Sequence, residues 1–460
     1  MNRPKPKDME AIAQTYSEHR RAILTLGGPL IASHLAQFAI HMTDTIMLGW
    51  YDVTALAAAT IATTMYFVTF IMGAGFAFAV TPMVAAAAEE GDDVQVRRVT
   101  RMGLWLSIAY GLVFTVPMLL AEPILLAMGQ DAQVAALAQD YLVIAGWQMV
   151  PALMVMTLKS YLAALEHTAI ILWATIGTAV LNAGINYALI FGNLGAPELG
   201  IQGAAIASLI VTIATMVILF AYGLRTLPQY KLLQNVWKPD TEILARVFKL
   251  GWPIGLTSLA EGGLFSASAV MMGWIGPLDL AAHGIAIQLA SLTFMVHIGF
   301  SQAATVRAGR ALGRKDEISL RRGATMAIAM SACFAIATMA VFLLMPELLI
   351  KLFIDPAEPA KDTLLQIGVS LLAMAALFQV VDAAQVLALG LLRGVQDTTM
   401  PMIMATISYW IVGLPISYVL AFPLGMGGVG IWLGLVVGLT VAGILMMWRF
   451  WRQAVFINAA

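Results

Sequence analysis

Twelve long apolar runs decide what this chain can become. They cover roughly residues 22–49, 54–86, 102–121, 133–158, 169–192, 200–223, 247–275, 279–306, 324–345, 363–392, 400–422 and 428–448. A helix that crosses a bilayer needs about 20 apolar residues, and every run reaches that length. Hydrocarbon offers no hydrogen-bond partner to a bare backbone, so runs of this kind span as α-helices. Composition agrees: 60% of the residues are hydrophobic and 11% are charged, against about 25% charged in a soluble domain. The chain is therefore expected to be an all-α polytopic membrane protein with twelve transmembrane helices in the lipid bilayer.

Several runs exceed the bilayer thickness, so their helices are expected to tilt or bend. Pro29 and Pro253 fall early in the first and seventh runs, where each can kink its helix. The net charge of −1, with basic residues scattered through loops, gives no electrostatic case for nucleic acid. A single cysteine, Cys333, excludes a disulfide within the chain. The first 21 residues are polar, so no cleavable signal peptide is expected, and Asp8–Arg21 alternates apolar and charged residues as an interfacial helix does.

Orientation follows from Lys and Arg. Of the 25 basic residues, 23 fall at the termini or in even-numbered connectors, and Lys351 and Lys361 alone fall on the other side. Both termini are therefore expected in the cytoplasm.

The sequence repeats itself. A shift of 224 residues lays Gly27-Gly28-Pro29 on Gly251-Trp252-Pro253, Gly49-Trp50 on Gly273-Trp274, and Arg97-Arg98 on Arg321-Arg322. With small gaps, Glu166-His167-Thr168 meets Gln396-Asp397-Thr398, and Gly200 meets Gly427. Six spans per half is an even number, so both halves enter the membrane in the same sense, a plan found in transporters. The expected organisation is a cytoplasmic segment 1–21, a six-helix lobe 22–224, a cytoplasmic linker 225–245, a second six-helix lobe 246–450 and a cytoplasmic tail 451–460.

No metalloprotease, serine-hydrolase or P-loop signature is present, so no enzyme and no cofactor are expected. Gly430, Gly434 and Gly438 form a small-xxx-small ladder that reads as helix packing. The chemical signal is carried by carboxylates inside the apolar runs, which are expensive there and usually functional. Glu261 lies 12 residues after Lys249, and Asp382 lies 11 residues before Arg393. At about 1.5 Å per residue both reach the middle of a hydrocarbon core about 30 Å thick, at matching depth. Their counterparts in the first half, Gln37 and Ala152, are neutral. Asp44 lies toward the outer end of the first run, and its counterpart is Ser268.

Each carboxylate has polar company. His34, Gln37, His41 and Asp44 share one helical face, as do Phe378, Asp382 and Gln385. Asn182 and Asn186 are one turn apart on the fifth run, and Gln288 lies on the eighth. A lone His, Asn or Gln at such a place also serves as plain glue between helices. Oxygen-rich sets suit hard cations and protons rather than transition metals. A buried carboxylate can hold a proton near neutral pH and release it when a cation arrives, which is the physics of antiport. The 28 Met and 41 aromatic side chains supply soft walls for flat lipophilic cations.

Twelve spans, two six-helix repeats, His41-Met-Thr-Asp44, Gly251-Trp-Pro253, Glu261 and Gln379-Val-Val-Asp382-Ala-Ala-Gln385 with Leu392-Arg393-Gly394 resemble the multidrug and toxic compound extrusion (MATE) transporters, the NorM-like branch in particular. The resemblance covers about residues 20 to 450. It implies two six-helix lobes with pseudo-symmetry, a central cleft, alternating access, and export of organic cations against Na⁺ or H⁺. By carry-over, Glu261 and Asp382 would form the cation site, with Na⁺ as a possible occupant. Asp44, Asn182 and Asn186 would form a polar cluster in the first lobe. Gln37, His41, Gln288, Phe378 and Gln385 would support the sites or line the pathway. Some Na⁺-linked relatives carry a Tyr four residues before the tenth-helix Asp, where this chain has Phe378, one oxygen fewer. The resemblance also implies a protein of the bacterial inner membrane, and the working unit is expected to be a monomer. The alternative class is a lipid-linked oligosaccharide flippase of a related fold, which would place Arg or Lys inside to meet phosphate.

Overall fold

The computed structural model describes residues 14–354 and 359–458. Twelve helices among them are long and apolar enough to cross a membrane: α1 (Tyr16–Tyr51), α2 (Val53–Glu89), α3 (Asp93–Leu119), α4 (Ala132–Ala164), α5 (Thr168–Phe191), α6 (Gly200–Thr226), α7 (Thr241–Ile275), α8 (Pro277–Arg314), α9 (Glu317–Leu344), α10 (Lys361–Gly394), α11 (Thr399–Ala421) and α12 (Gly427–Ala454). Short helices at Ala121–Ala127 and Pro346–Lys351 join α3 to α4 and α9 to α10. No strand occurs among the described residues. The expected interfacial helix at Asp8–Arg21 lies outside the described residues as far as residue 13, and from Tyr16 the chain is already α1.

Most helices run past their apolar stretch. Lys159 lies inside α4 and Arg393 in the last turn of α10, although each marks a connector by charge alone. Hydropathy locates the part of a helix that lipid touches, whereas backbone hydrogen bonding continues until a cap stops it. The caps are local. Asp92 caps α3 through Gln95 N, and Asp316, at the repeat-equivalent position, caps α9 through Ser319 N. The left-handed turn before each repeats too, at Gly91 (φ 74°) and Lys315 (φ 56°). The turn before α5 has Glu166 at φ 66°, and the turn before α11 has Gln396 at φ 62°.

Internal contacts divide the chain into two units. One is Ala32–Gly255; the other joins the chain up to Ile31 to the chain from Leu256 onward. The crossings fall inside α1 and α7, each two residues beyond its proline, Pro29 or Pro253. Each unit has its own apolar core. In the first it forms around Ala58, Leu142, Met149, Leu153 and Ala205. In the second it forms around Leu372, Leu387, Trp432, Leu435 and Leu439. Lipid tails are as apolar as leucine, so close packing rather than water exclusion holds such helices together. The glycine ladder of α12 shows this. A Cβ on Gly430 would stand 2.7 Å from the Ala421 nitrogen, and one on Gly434 would stand 2.3 Å from the Ser417 nitrogen. A Cβ on Gly438 would stand 2.9 Å from the Gly413 Cα, so α11 and α12 meet backbone to backbone.

Candidate functional site

Each unit holds one acidic site. In the unit Ala32–Gly255, α1 and α5 lie side by side in fixed register. Ser33 Oγ and Thr175 Oγ1 share a hydrogen bond of 3.0 Å, and eleven residues further along both helices Asn186 Nδ2 donates to Asp44 Oδ1 at 2.5 Å. The same amide donates to Asn182 Oδ1 at 3.2 Å. Asn182 and Asn186 are fully buried, and Asp44 is half-buried. Asn182 Nδ2 and Asn186 Oδ1 are buried without a partner, so the cluster has a donor and an acceptor to spare. Tyr141 of α4, also buried, lies within electrostatic reach of Asp44. The structure thus brings Asp44, Asn182 and Asn186 together. Gln37 is half-buried and His41 is exposed on the same helix, and neither joins this cluster.

In the other unit the acids come from α7 and α10. Asp382 is 1% exposed, and both its carboxylate oxygens are buried without a hydrogen-bond partner. Glu261 is half-buried, with Oε1 buried and equally unpartnered. The two acids lie within electrostatic reach of each other. α10 is held against α8 by two side-chain bonds in register: Ser301 Oγ donates to the Val386 carbonyl at 2.7 Å, and Thr305 Oγ1 to the Gly390 carbonyl at 2.8 Å. Gly390 permits that approach, because a Cβ there would meet Ser301 Oγ at 2.2 Å. Gln385, one turn past Asp382, is buried and donates from Nε2 to the Tyr409 hydroxyl at 2.6 Å. Phe378, one turn before, packs edge-on against Phe265 (5.8 Å between centroids) and Trp432 (5.6 Å), and therefore forms an aromatic wall. Gln288 is half-buried on α8.

Several neighbours have no site role in the sequence reading, although Gln379 and Arg393 stand in the motifs quoted above. Gln379 is fully buried with both amide atoms unpartnered, and Ser408 Oγ is buried and unpartnered. Arg393, counted above as a connector charge, lies within electrostatic reach of Glu261 and Tyr409. Tyr409 sits on a π-helical turn, Ile407–Gly413, which shifts the phase of α11 so that no 3.6-residue pattern reports its direction. The only signal in the sequence is a tyrosine deep in an apolar run.

An acid with no internal partner, in a region poor in water, must be neutralised by a proton or by a cation. The unpartnered oxygens of Asp382, Glu261, Gln379 and Gln385 are hard ligands, suited to a proton or an alkali cation. Among the described residues no three His, Cys, Asp or Glu side chains gather as a metal site would require.

The family model MatE matches residues 29–188 and again 253–419, two stretches that begin one repeat apart. The chain belongs to the MatE family. MatE proteins are transporters, and membership makes this an integral membrane protein with the twelve-helix fold described. The MatE chain is 45% identical over 449 residues to a protein of Rhizobium meliloti named probable multidrug resistance protein NorM, covering 97% of this chain and 96% of that one. It is 43% identical over 438 residues to the protein of the same name from Agrobacterium fabrum, covering 95% and 94%. Among solved structures, that of MATE in complex with MaL6 superposes with a TM-score of 0.87 at 19% identity, covering 96% of this chain and 98% of the other, a likeness of fold. Family and fold agree with the all-α, twelve-helix reading and with the resemblance drawn from the motifs.

Proposed function

We propose that the chain is a secondary active multidrug efflux antiporter. It exports organic, mostly cationic and amphipathic compounds in exchange for Na⁺ or H⁺. It works by alternating access between two lobes, 22–224 and 246–450, joined by the linker 225–245. It acts as a monomer in the bacterial inner membrane with both termini in the cytoplasm. The names of the relatives in Rhizobium meliloti and Agrobacterium fabrum support the multidrug part of this reading. The excess of Lys and Arg on one side of the membrane supports the orientation.

The observation that carries the coupling is Asp382: buried, with no partner for either oxygen, and within electrostatic reach of Glu261. Two buried carboxylates that feel each other's charge cannot both remain charged and unaccompanied. Binding of the coupling ion neutralises the site. An antiporter then needs only that the ion and the exported cation favour opposite states of access, so that the gradient of one drives the other. Asp44 with Asn182 and Asn186 forms a second polar site in which the Asn186 amide holds the carboxylate and Asn182 Oδ1 orients that amide, leaving the acid less dependent on an external cation.

The test is efflux of a fluorescent organic cation from proteoliposomes. One arm imposes a Na⁺ gradient at equal pH, and the other a pH gradient at equal Na⁺. One arm or both should drive efflux in the wild type, and neither should do so in Asp382→Asn, which keeps the shape and removes the charge. Efflux at the wild-type rate from correctly inserted Asp382→Asn protein would sink the assignment.

A further inference from the structure

The π-helical turn in α11 is set by its neighbours. Pro415, just beyond it, has no N–H to donate to the preceding turn. Gly413 lies against α12 so closely that a Cβ there would stand 3.1 Å from the Gly438 Cα and 3.4 Å from the Gly434 carbonyl. The turn is thus fixed by backbone contact on one side and opened on the other. Such turns are uncommon, and proteins retain them mostly at functional sites.

Two consecutive side chains leave this turn for two different helices. Trp410 Nε1 donates to the carbonyl of Ala260, the residue before Glu261, at 3.1 Å. Gly263 of α7 clears the way, since a Cβ there would stand 2.7 Å from the Trp410 ring. Tyr409 turns inward, fully buried, and its hydroxyl oxygen accepts from Gln385 Nε2, one turn past Asp382. The turn is therefore tied to both acid-bearing helices, next to one acid and one turn from the other. Tyr409 also lies within electrostatic reach of Glu261, Asp382 and Arg393. With Gln385 as donor, the phenol oxygen keeps a second lone pair, and it is a hard neutral oxygen.

We propose that the hydroxyl of Tyr409 is a third oxygen ligand for Na⁺ at the Glu261–Asp382 site. This rests on the reading of those two acids as the coupling site. Trp410 anchors the same turn to α7, so the backbone that carries Tyr409 is tied to the helix that bears Glu261. Two carboxylates attract any small cation, whereas a fixed neutral oxygen at a set distance favours one ionic size. Tyr409 is thereby the residue that makes the site prefer Na⁺ over larger alkali cations.

The experiment uses full-length protein in detergent, with NaCl or KCl replacing choline chloride at constant ionic strength and pH 8, followed by tryptophan fluorescence and by cation-dependent melting temperature. The wild type should saturate with Na⁺ and respond less to K⁺. Asp382→Asn should show no saturable response. Tyr409→Phe should raise the half-saturating Na⁺ concentration by about tenfold, or ~1.4 kcal/mol, and bring the Na⁺ and K⁺ responses close to each other. Trp410→Phe keeps the hydroxyl but unties its turn from α7, and should raise half-saturation by a smaller factor; it decides the matter should Tyr409→Phe fail to fold. The proposal is overturned by Tyr409→Phe or Trp410→Phe protein with wild-type Na⁺ half-saturation and selectivity. It is also overturned by a wild type with no saturable Na⁺ response. An unchanged response in Asp382→Asn would instead remove the acid-pair reading itself.

Discussion

The connection between α6 and α7 can be loosened by a known amount. Residues 227–240 are tied along α3. Trp105 Nε1 donates to the Val236 carbonyl at 2.9 Å, Arg101 to the Gln234 carbonyl at 3.4 Å, and Arg98 to both oxygens of Asp240 at 2.6 and 3.2 Å. Asp240 also caps α7, because its Oδ1 accepts from Ile243 N at 3.2 Å. The Arg98 side chain is 33% exposed, so solvent screening holds the bidentate pair to about 1 kcal/mol. The cap is worth about 1 kcal/mol more. Asp240→Asn keeps an acceptor for the cap and loses the pair, whereas Asp240→Ala loses both. Local opening should therefore rise about fivefold in the first and about thirtyfold in the second. Limited trypsin digestion at Lys231 and Lys238, both exposed, reads that opening when cleavage is slow relative to reclosing. The Arg98 guanidinium holds the Asp240 carboxyl below the ordinary carboxylate range. A group depressed in this way contributes fully above its unfolded value, about 3.9, and loses its contribution only as pH falls through the lower folded value. The ratio of mutant to wild-type cleavage should thus stay flat from pH 6 to 9. Equal cleavage of wild type and Asp240→Ala, or a ratio that bends within that range, would refute the assignment.

Two further outcomes follow from the geometry. Gly434→Ala would force a Cβ to within 2.4 Å of the Ser417 Cα, backbone that cannot step aside, and should cost about 1–3 kcal/mol or more. Gly443→Ala, on the same helix, meets Gln385 at no less than 3.6 Å and should melt close to the wild-type temperature; equal losses in the two variants would contradict the packing of α11 on α12. Asn186→Ala removes the charge-assisted bond to Asp44 and should destabilise the protein by about 2 kcal/mol, while adding Asp44→Asn should cost much less in that background than alone. Additive losses in this double-mutant cycle would show that the two side chains act independently.

What could be read from the sequence depends on the kind of regularity involved. Lipid imposes length and hydropathy on a helix, so all twelve spans are visible as runs. The ladder Gly430, Gly434, Gly438 is visible because close packing admits only small residues at one spacing. The pairing of Asn182 and Asn186 with Asp44 is half-visible. Helical spacing puts the two Asn on one face, but only the register of α1 against α5 brings that face to Asp44. The same spacing groups His41 with Asp44, yet His41 is exposed, because periodicity describes a helix and says nothing of what stands opposite each turn. Tyr409 was hidden for a stronger reason. A π-helical turn breaks the period on which such reasoning rests, and its cause lies in the contact of Gly413 with Gly438 on another helix.

The repeat separates what the fold requires from what the chemistry requires. Residues that shape the backbone recur in both halves: Asp92 and Asp316 as caps, Gly91 and Lys315 in left-handed turns, Glu166 and Gln396 likewise. Several charged side chains do not, although Arg97-Arg98 recurs as Arg321-Arg322. At one equivalent pair of places His167 bonds the Tyr222 hydroxyl at 2.9 Å, while Asp397 holds Arg449 at 2.5 Å. Glu261 and Asp382 stand where the first half has Gln37 and Ala152, and Asp44 stands where the second has Ser268. Ser268 is buried and satisfies itself on the Phe265 carbonyl at 2.7 Å, as a side chain with only a structural duty does. Asp382 does the opposite: in the same unit, at a depth that tolerates a neutral residue, it keeps two buried oxygens unsatisfied. Packing does not require that acid, and we propose that its two free oxygens serve a ligand that comes and goes rather than the stability of the fold.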